Sequence, residues 1–312
     1  MIVALALGAA YLSIGSSQEP RDLPIAAVGT PQAAKALEAS APGQLSVQAV
    51  PDVAAARRAI DERDVYGAVV LSRTGVQELL IAPAANLSVS NFLRKTLGQA
   101  TPEYVPRITD VGPLPSDDSS GLDIALLVQI LLLGGTVAVV GFTRLTPRFK
   151  GDPRRGVLPL TSLAGYSILF GLALTLMTEA FGVGTDAAFL ERFLALTFIS
   201  AAVSASTAAL VALLGPAGSG VAGVLYFLLG AQISGAGSAP EFLAPFWSDL
   251  GQALPAGAAT SLLRSVFYFP QSSTGESIAI LAAYAGAGLA VLLVLNLVTA
   301  RRRGSAGVPV TA

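Results

Sequence analysis

A polar stretch between Ser16 and Ser120 separates a short apolar segment from a long apolar block, and this interruption constrains the fold most strongly. Of the 39 charged residues (19 basic and 20 acidic), 22 lie between Glu19 and Asp123. The block that follows contains long runs with almost no charge, and such runs need lipid as their solvent. The pattern therefore predicts a helical membrane protein that carries an inserted polar domain.

The apolar block contains five segments close to the ~20 residues that a helix needs to cross the hydrocarbon core. They are Leu122–Phe142, Val157–Thr178, Phe193–Leu214, Gly218–Ala236 and Ile278–Ala300. A sixth apolar segment, residues 2–14, is too short to span a bilayer. It is either the hydrophobic region of a signal peptide or part of a first transmembrane helix. The second interpretation is favoured because no basic region precedes it.

That interpretation predicts a polytopic α-helical membrane protein with about six transmembrane helices. The first helix (residues 1–15) would be truncated in this sequence, and the natural N-terminus would be longer and bear arginine or lysine. An extracellular α/β domain would be inserted after it.

Basic residues predict the orientation of these helices, because they stay on the cytoplasmic side. One cluster follows the first of the five segments: Arg144, Arg148, Lys150, Arg154 and Arg155. A second follows the last segment: Arg301, Arg302 and Arg303. The connections Glu179–Arg192 and Ser234–Ser277 each hold three acidic residues and one basic residue. We therefore expect a five-helix membrane domain over residues 121–303, the polar domain (residues 16–120) outside, and residues 304–312 as a disordered cytoplasmic tail.

The polar domain has the pattern of a small α/β fold. Five segments have the length and β-branched content of strands: Leu23–Gly29, Leu45–Val50, Tyr66–Ser72, Val76–Ala82 and Tyr104–Val111. Helical stretches lie at Pro31–Ala41 and at Asp52–Asp64, which Asp52 can cap; Asn86 or Ser88 can cap a third that runs through Leu97. The order β-α-β-α-β-β-α-β predicts a sandwich with a partly parallel sheet, which serves as a scaffold, a docking domain or a small-molecule binder.

The composition excludes most kinds of catalytic and cofactor site. The chain has no cysteine and no histidine, which removes disulfides, thiol nucleophiles, Ser-His-Asp triads and nearly all zinc sites. It also lacks the GxxxxGK(S/T) motif that cradles ATP, so any ATP dependence requires a separate subunit. The net charge of −1 does not indicate nucleic-acid binding. We expect no enzyme activity, no catalytic or metal-binding residues and no cofactor.

Polar and small residues inside the apolar segments are candidates for functional or packing roles. Four hydroxyl residues fall on one face of the third segment: Thr197, Ser200, Ser204 and Thr207. This hydroxyl stripe lines either a translocation path or a helix-packing face. Three small residues form a packing face in the last segment: Ala282, Gly286 and Ala290. Three amides lie at membrane depth or near its edge: Gln129, Gln232 and Asn296.

The stretch Pro255–Phe269 predicts a short helix on the outer side, before the last segment. Leu262, Val266 and Phe269 fall on one side of it, and Arg264 lies among more polar residues. Trp247 and several other aromatic residues are close in the sequence, which is typical of an interfacial segment. The helix therefore either anchors the protein at the level of the lipid head groups or acts as an outer gate.

Several stretches of this chain resemble one known family. They are DLPIAAVG (residues 22–29), ERDVYGAVVLS (residues 62–72), GPLPSDDSSGLDIALLVQ (residues 112–129) and the stretch Pro240–Phe269. In combination they resemble the YhgE/Pip-like membrane proteins of Gram-positive bacteria, which are related to the permease subunits of type-2 ABC transporters. The resemblance covers nearly the whole chain. It implies six membrane helices, a large extracellular insertion after the first, and a short re-entrant or interfacial helix before the last.

We therefore expect a permease-like, multi-pass protein of the bacterial plasma membrane that serves export or the cell envelope. The expected partners are the lipid bilayer, a second copy of the chain and a separate ATPase subunit, and no nucleic acid is expected. The connection Arg144–Gly156 departs from the permease pattern, because it is short and its prolines suit a coupling helix poorly. The alternative is a non-transporting scaffold, accessory subunit or receptor that acts through the extracellular domain.

Overall fold

The computed structural model describes residues 1–72, 75–99, 105–116, 118, 120–145 and 153–304. Within them, a domain built on a five-stranded sheet precedes a helical domain with five stretches of membrane length. A short apolar helix, α1 (Ile2–Ser16), comes before the sheet.

The α/β domain has the predicted order of strands and helices. Its elements are β1 (Leu23–Val28), α2 (Pro31–Ser40), β2 (Leu45–Val50), α3 (Val53–Asp61), β3 (Gly67–Ser72), β4 (Gly75–Ile81), α4 (Leu87–Leu97) and β5 (Arg107–Asp110). β5 is shorter than the predicted strand, whose first residue, Tyr104, lies outside the described residues. Asp52 Oδ1 accepts a hydrogen bond from Ala55 N (2.7 Å), and Asn86 Oδ1 accepts one from Val89 N (3.2 Å). Both predicted N-caps are therefore confirmed.

The sheet has the strand order β2-β1-β3-β4-β5, with β3 and β4 antiparallel and every other neighbouring pair parallel. The chain moves outward from β1 to β2 and then returns past β1 to β3. Right-handed crossovers therefore put α2 and α3 on opposite faces of the sheet. Alternate residues of β1 accordingly enter two separate cores, Ile25 with Ala34 of α2 and Ala26 with Ile60 of α3. Burial of both faces explains the nearly continuous apolar strands.

The helical domain contains every predicted membrane-length stretch. Its elements are α5 (Asp123–Leu145), α6 (Pro153–Ala180), α7 (Phe189–Leu214), α8 (Pro216–Ala222), a π-helical segment (Gly223–Gly230), α9 (Ala231–Ile233), α10 (Pro245–Ala253), α11 (Pro255–Tyr268) and α12 (Gly275–Gly304). Five stretches within the described residues are long and apolar enough to cross a membrane: Asp123–Phe142, Thr161–Ala180, Phe189–Leu214, Pro216–Ile233 and Gly275–Val298. The π-helical segment interrupts the fourth, and the sequence analysis did not predict it.

α7 is the central helix of this domain and packs against α5, α6, α11 and α12. Glycines on its neighbours allow a close approach of the backbones. A Cβ atom at Gly171 of α6 would lie 2.8 Å from Cα of Thr197, and one at Gly288 of α12 would lie 2.5 Å from the carbonyl carbon of Ala205. Small residues at such contacts are typical of helices that associate in a membrane. On α12 the contact is made by Gly288, whereas the predicted packing face of Ala282, Gly286 and Ala290 is exposed.

α11 lies inside the molecule, beneath the α/β domain. Eleven of its 14 residues are buried. Leu262 and Arg264 are both buried, although the sequence assigns them to an apolar and a polar side of the helix, and Phe269 just beyond its end is buried as well. Burial on both sides favours the re-entrant or gate interpretation of this helix, and the interfacial interpretation stays a prediction. The exposed aromatic residue of this region is Phe246, on α10.

Candidate functional site

The α/β domain is held against the helical domain by residues 234–243, which follow α9 and are called the clamp loop below. Two side chains at the start of α4 bind this loop. Asn86 Nδ2 donates a hydrogen bond to Gly235 O (3.4 Å), and Ser88 Oγ donates one to Gly237 O (3.0 Å). Phe242 packs against the face of the sheet that carries α2 and α4. The clamp loop therefore belongs to the packing of both domains.

Arg264 of α11 fixes the start of the clamp loop. Its guanidinium donates one hydrogen bond to Gly235 O and one to Ala236 O, each at 2.7 Å, and the residue is only 7% exposed. Both carbonyls follow the C-terminus of α9, where the helix dipole favours a cation. Burial lowers the pKa of Arg264 to about 10, so the side chain stays charged at neutral pH. Two carbonyl groups and a helix end thus stabilise this charge.

Arg63 crosses from the α/β domain to α11. Its Nη1 donates hydrogen bonds to Ser261 O and to Ser265 Oγ, both at 2.9 Å. The residue has φ +62° and lies just past the end of α3, a position that glycine usually occupies. A left-handed backbone costs a non-glycine residue roughly 1–2 kcal/mol. The chain therefore accepts local strain at a residue whose side chain joins the two domains.

Tyr66 and Glu241 make a further contact across the junction. The Tyr66 hydroxyl donates a hydrogen bond to Glu241 Oε2 (2.9 Å). Burial, reinforced by this carboxylate, raises the pKa of Tyr66, so its hydroxyl remains a donor. Desolvation by burial lowers the pKa of Arg63. Each of these junction side chains is engaged in holding the domains together.

The four hydroxyl residues predicted on one face of α7 lie in a continuous buried stripe. The side-chain oxygens of Thr197, Ser200, Ser204 and Thr207 are shielded from solvent and have no hydrogen-bond partner among the described residues. An unpartnered buried polar group costs about 1–3 kcal/mol. The stripe therefore holds four hydroxyl groups whose hydrogen bonds are not made in this conformation.

Other buried hydroxyl groups avoid this cost by bonding to their own helix. Thr136, Thr175 and Ser206 each donate a hydrogen bond to the carbonyl four residues earlier, at 2.7–2.8 Å. Ser167 of α6 resembles the stripe instead, because its hydroxyl is buried without a partner in the described structure. It lies one helical turn from Gly171, the glycine that faces Thr197. Ser167 therefore extends the hydroxyl stripe onto α6. The four stripe residues and Ser167 are together called the polar seam below.

The seam is closed in this structure. A Cβ atom at Gly135 of α5 would lie 3.3 Å from Ser204 Oγ, and Gly171 of α6 covers Thr197 in the same way. None of the stripe residues lines any of the four clefts that surround the domain junction. The face of α7 that could line a translocation path is therefore the same face that packs against α5 and α6.

Three of these clefts are large. The first, of about 650 Å³, lies between α4, α5, α9 and the clamp loop. The second, of about 490 Å³, is mostly apolar and lies between α7, α11 and the start of α12. The third, of about 440 Å³, separates the α6–α7 connection from the α/β domain. All three open at the end of the helical domain that faces the sheet.

The predicted gate residues occupy different surroundings. Leu262 and Val266 line the cleft of about 490 Å³. Phe269 packs in the core of the α/β domain that contains α3. Trp247 of α10 donates a hydrogen bond from Nε1 to Ser13 Oγ of α1 (3.2 Å). The structure thus keeps the α11 residues together at the junction and places Trp247 at a separate contact with α1.

The basic residues that predict the topology lie largely beyond what the structure describes. Arg148 and Lys150 are outside the described residues. For the others only the helical backbone is described: Arg144, Arg154, Arg155, Arg301, Arg302 and Arg303. At the opposite helix ends, Arg192 forms an ion pair with Glu179 that joins α7 to α6.

Several residues of the junction escaped the sequence analysis. Arg63, Tyr66 and Glu241 lie in stretches that bore on function only through the family resemblance, and their partners lie about 175 to 202 positions away in the chain. Asn86 was predicted only as a helix cap. The absence of glycine at the end of α3 is the one local sign that could have singled out Arg63.

No family model, curated protein or solved structure matches this chain. The resemblance to YhgE/Pip-like proteins therefore stays a prediction.

Proposed function

We propose that this chain is an integral membrane protein of the permease kind, related to the permease subunits of type-2 ABC transporters, with a role in export or in the cell envelope. In this proposal the five apolar stretches cross the bacterial plasma membrane and the α/β domain lies outside. A separate subunit supplies ATP hydrolysis if transport is ATP-driven, because the sequence has no phosphate-binding motif of its own.

The arrangement of helix ends supports this orientation. The α6–α7 connection (residues 181–188) and the clamp loop both adjoin the α/β domain. The basic residues Arg144, Arg154 and Arg301–Arg303 belong to the other ends of α5, α6 and α12. Basic ends favour the cytoplasmic side of a membrane. The same rule therefore favours an outward position for the α/β domain.

The observation that carries the transport proposal is the row of unpartnered hydroxyl groups on α7. A buried hydroxyl group that finds no partner costs about 1–3 kcal/mol, so this closed arrangement of the stripe is unfavourable. A purely structural interface could replace the four residues by alanine and valine without loss. A protein that alternates between conformations would instead recover this energy when the seam opens and the hydroxyls meet water or a polar solute.

In this proposal α11 closes the seam at its outer end. It packs against both α7 and α5, and its hydrogen bonds with Arg63 tie it to the α/β domain. Movement of the α/β domain would therefore move α11. In this proposal the outer domain and α11 open and close the path as one unit.

The alternative function is that of a non-transporting scaffold, accessory subunit or receptor that acts through its outer domain. The tight packing of Gly135 and Gly171 against the hydroxyl stripe favours it, because such contacts also stabilise a static bundle. In that case the hydroxyl stripe serves helix packing alone.

Co-purification in mild detergent separates these functions. The transport proposal expects a nucleotide-binding subunit to co-purify with the full chain and the complex to hydrolyse ATP. If no such subunit co-purifies and no ATPase activity appears, the accessory function replaces it.

Substitutions in the hydroxyl stripe test the mechanism within the same complex. Ser204→Ala and Thr207→Val remove unpartnered groups, so we expect a higher melting temperature together with slower ATP turnover. Ser206→Ala is the matched control, because Ser206 Oγ already donates a hydrogen bond to Ala202 O (2.8 Å). Stabilised variants that keep full ATP turnover would contradict a path along the stripe.

A further inference from the structure

The cleft of about 650 Å³ is lined by side chains from four separate parts of the chain. Gln18 follows α1, Gln129 lies on α5, and Gln232 lies on α9. Phe92 of α4 and Phe242 of the clamp loop form an apolar wall, with their rings in an edge-to-face contact at 5.8 Å. The cleft thus combines a group of amides with an aromatic wall at the boundary of the two domains.

The three amide side chains have no hydrogen-bond partner among the residues that the structure describes. Within the described part of the chain, no hydrogen bond involves the side chain of Gln18, Gln129 or Gln232. Each side-chain amide can donate two hydrogen bonds and can accept at its oxygen. Gln129 is half-buried and Gln232 is exposed, so both remain accessible from the cleft. Their convergence leaves a set of donors and acceptors without a protein partner.

The lining of this cleft has no charge. None of the described residues that form it is acidic or basic. Glu19 and Arg21 flank the lining residue Pro20, and they form an ion pair with each other at 3.9 Å. The lining itself therefore offers a charged head group no ion pair. An uncharged group with many hydroxyls would meet matching donors and acceptors, and its apolar faces would contact the aromatic wall. The lining therefore favours a neutral polar ligand over an anionic or cationic one.

The position of the cleft along α5 also constrains the kind of ligand that it can bind. Gln129 lies six residues after the start of α5, or roughly 9 Å along the helix axis at 1.5 Å per residue. Leu126 and Ile130 on the same helix are 52% and 38% exposed. These two side chains do not line the cleft, but they make the surface of α5 beside Gln129 apolar. An acyl or polyprenyl chain could lie along this surface while a polar group fills the cleft.

We propose that this cleft binds the uncharged, hydroxyl-rich head group of an amphiphile, with Gln129 and Gln232 as the principal hydrogen-bonding residues. The inference rests on the proposed membrane position of α5 and α9. It names a ligand class for the outer side of the protein. The same head-group chemistry occurs in a free sugar, and the experiment distinguishes the two sources.

The test uses the full chain in nanodiscs of zwitterionic lipid. Ser238 lines the cleft, and the chain has no native cysteine, so Ser238→Cys can carry a single environment-sensitive bimane dye. Three probes are titrated: diglucosyl diacylglycerol, phosphatidylglycerol with the same acyl chains, and free maltose. We expect a saturable spectral change with the diglucosyl lipid and none with phosphatidylglycerol. A change with maltose alone would support the same head-group site and assign the source to a soluble sugar.

Variants identify the residues. Gln129→Leu and Gln232→Leu together remove several hydrogen bonds of about 0.5–1.5 kcal/mol each, which should weaken binding about tenfold or more. Gln232→Leu alone is also measured in case the double variant misfolds, because Gln232 is exposed and its replacement disturbs little packing. Asn296→Leu is the matched control, because Asn296 lies toward the C-terminal end of α12 and does not line the cleft. It should leave binding unchanged.

The outcomes are separable from those of the transport proposal. An equal response to phosphatidylglycerol, no saturable response to either sugar probe, or binding that survives both glutamine substitutions would overturn the ligand class. A complex that still hydrolyses ATP would nevertheless keep the transport proposal. Conversely, glycolipid binding without any ATPase partner would keep the ligand site and support the receptor function.

Discussion

Replacement of Arg264 by methionine tests how the two domains are held together. Methionine keeps most of the apolar contacts of the arginine stem but cannot donate hydrogen bonds. In the native chain the guanidinium binds Gly235 O and Ala236 O, each at 2.7 Å. Gly235 O retains the Asn86 side-chain amide at 3.4 Å. Ala236 O loses its hydrogen bond from the arginine, and Ala236 is a buried residue of the clamp loop.

The expected loss of stability follows from these contacts. An orphaned buried carbonyl costs about 1–3 kcal/mol, and a hydrogen bond to a charged group contributes about 1.5–3 kcal/mol. Removal of a buried charge offsets part of this loss. We therefore expect Arg264→Met to reduce the free energy of unfolding by about 2–3 kcal/mol. For a chain of this size that corresponds to a fall in melting temperature on the order of 5 °C.

A double-mutant cycle sharpens this prediction. Asn86→Ser keeps a side chain that can cap α4 but removes the amide that reaches Gly235 O. Alone it should cost under about 1 kcal/mol, because Arg264 still satisfies that carbonyl. Combined with Arg264→Met it leaves both carbonyls without these partners, so the double variant should be less stable than the sum of the single effects by about 1 kcal/mol.

The assay is the melting temperature of the full chain in detergent, followed by fluorescence-detected size exclusion. A melting temperature for Arg264→Met within about 1 °C of the parent, or strict additivity in the cycle, would refute the argument that Arg264 holds the clamp loop.

Three further predictions concern packing, strain and pH. Gly288→Ala should destabilise the protein by about 1–3 kcal/mol, because the new Cβ meets α7 backbone at 2.5 Å, whereas Gly286→Ala, with nothing within 4 Å, should be neutral or stabilising; equal melting temperatures would contradict this packing. Arg63→Gly and Arg63→Ala both lose the hydrogen bonds to α11, but only glycine relieves the left-handed backbone, so the glycine variant should be more stable by about 1 kcal/mol in the same assay. Burial lowers the pKa of Arg264 to about 10 and raises that of Tyr66, so neither group should change the melting temperature between about pH 6 and 9. Above about pH 10 the folded state releases the Arg264 proton more readily than the unfolded state, so this group raises stability with pH. Tyr66 keeps its proton more tightly when folded, so it lowers stability with pH. Arg264→Met and Tyr66→Phe should therefore alter a melting profile only in that alkaline range.

The sequence allowed prediction of most elements whose cause is local, although α10 was not predicted. The lengths of the apolar runs predicted the five stretches of membrane length, and alternation with turn residues predicted the five strands. Asp52 and Asn86 were predicted as caps because a cap acts within three residues of its own position. The position of the hydroxyl stripe on one face of α7 followed from helical periodicity alone.

Properties that depend on contacts between distant segments could not be predicted in this way. Burial of α11 arises because the α/β domain and the clamp loop cover it, and the sequence of α11 still has the pattern of an amphipathic surface helix. The π-helical segment begins and ends at a glycine, but glycines within an apolar run do not by themselves distinguish a π-helix from an α-helix. The lack of partners along the hydroxyl stripe depends on side-chain orientation, because Ser206 on the same helix bonds to its own backbone and Ser204 does not.

The sequence by itself determined the architecture, namely a polar α/β domain inserted before a block of apolar helices, because periodicity and charge act within a few turns or strands. Only the tertiary structure decided where chemistry is available. It brought Gln18, Gln129 and Gln232 to one uncharged cleft and placed Arg63 in a left-handed turn against α11. These groups are far apart along the chain, and only the packing of the two domains against the clamp loop brings them together.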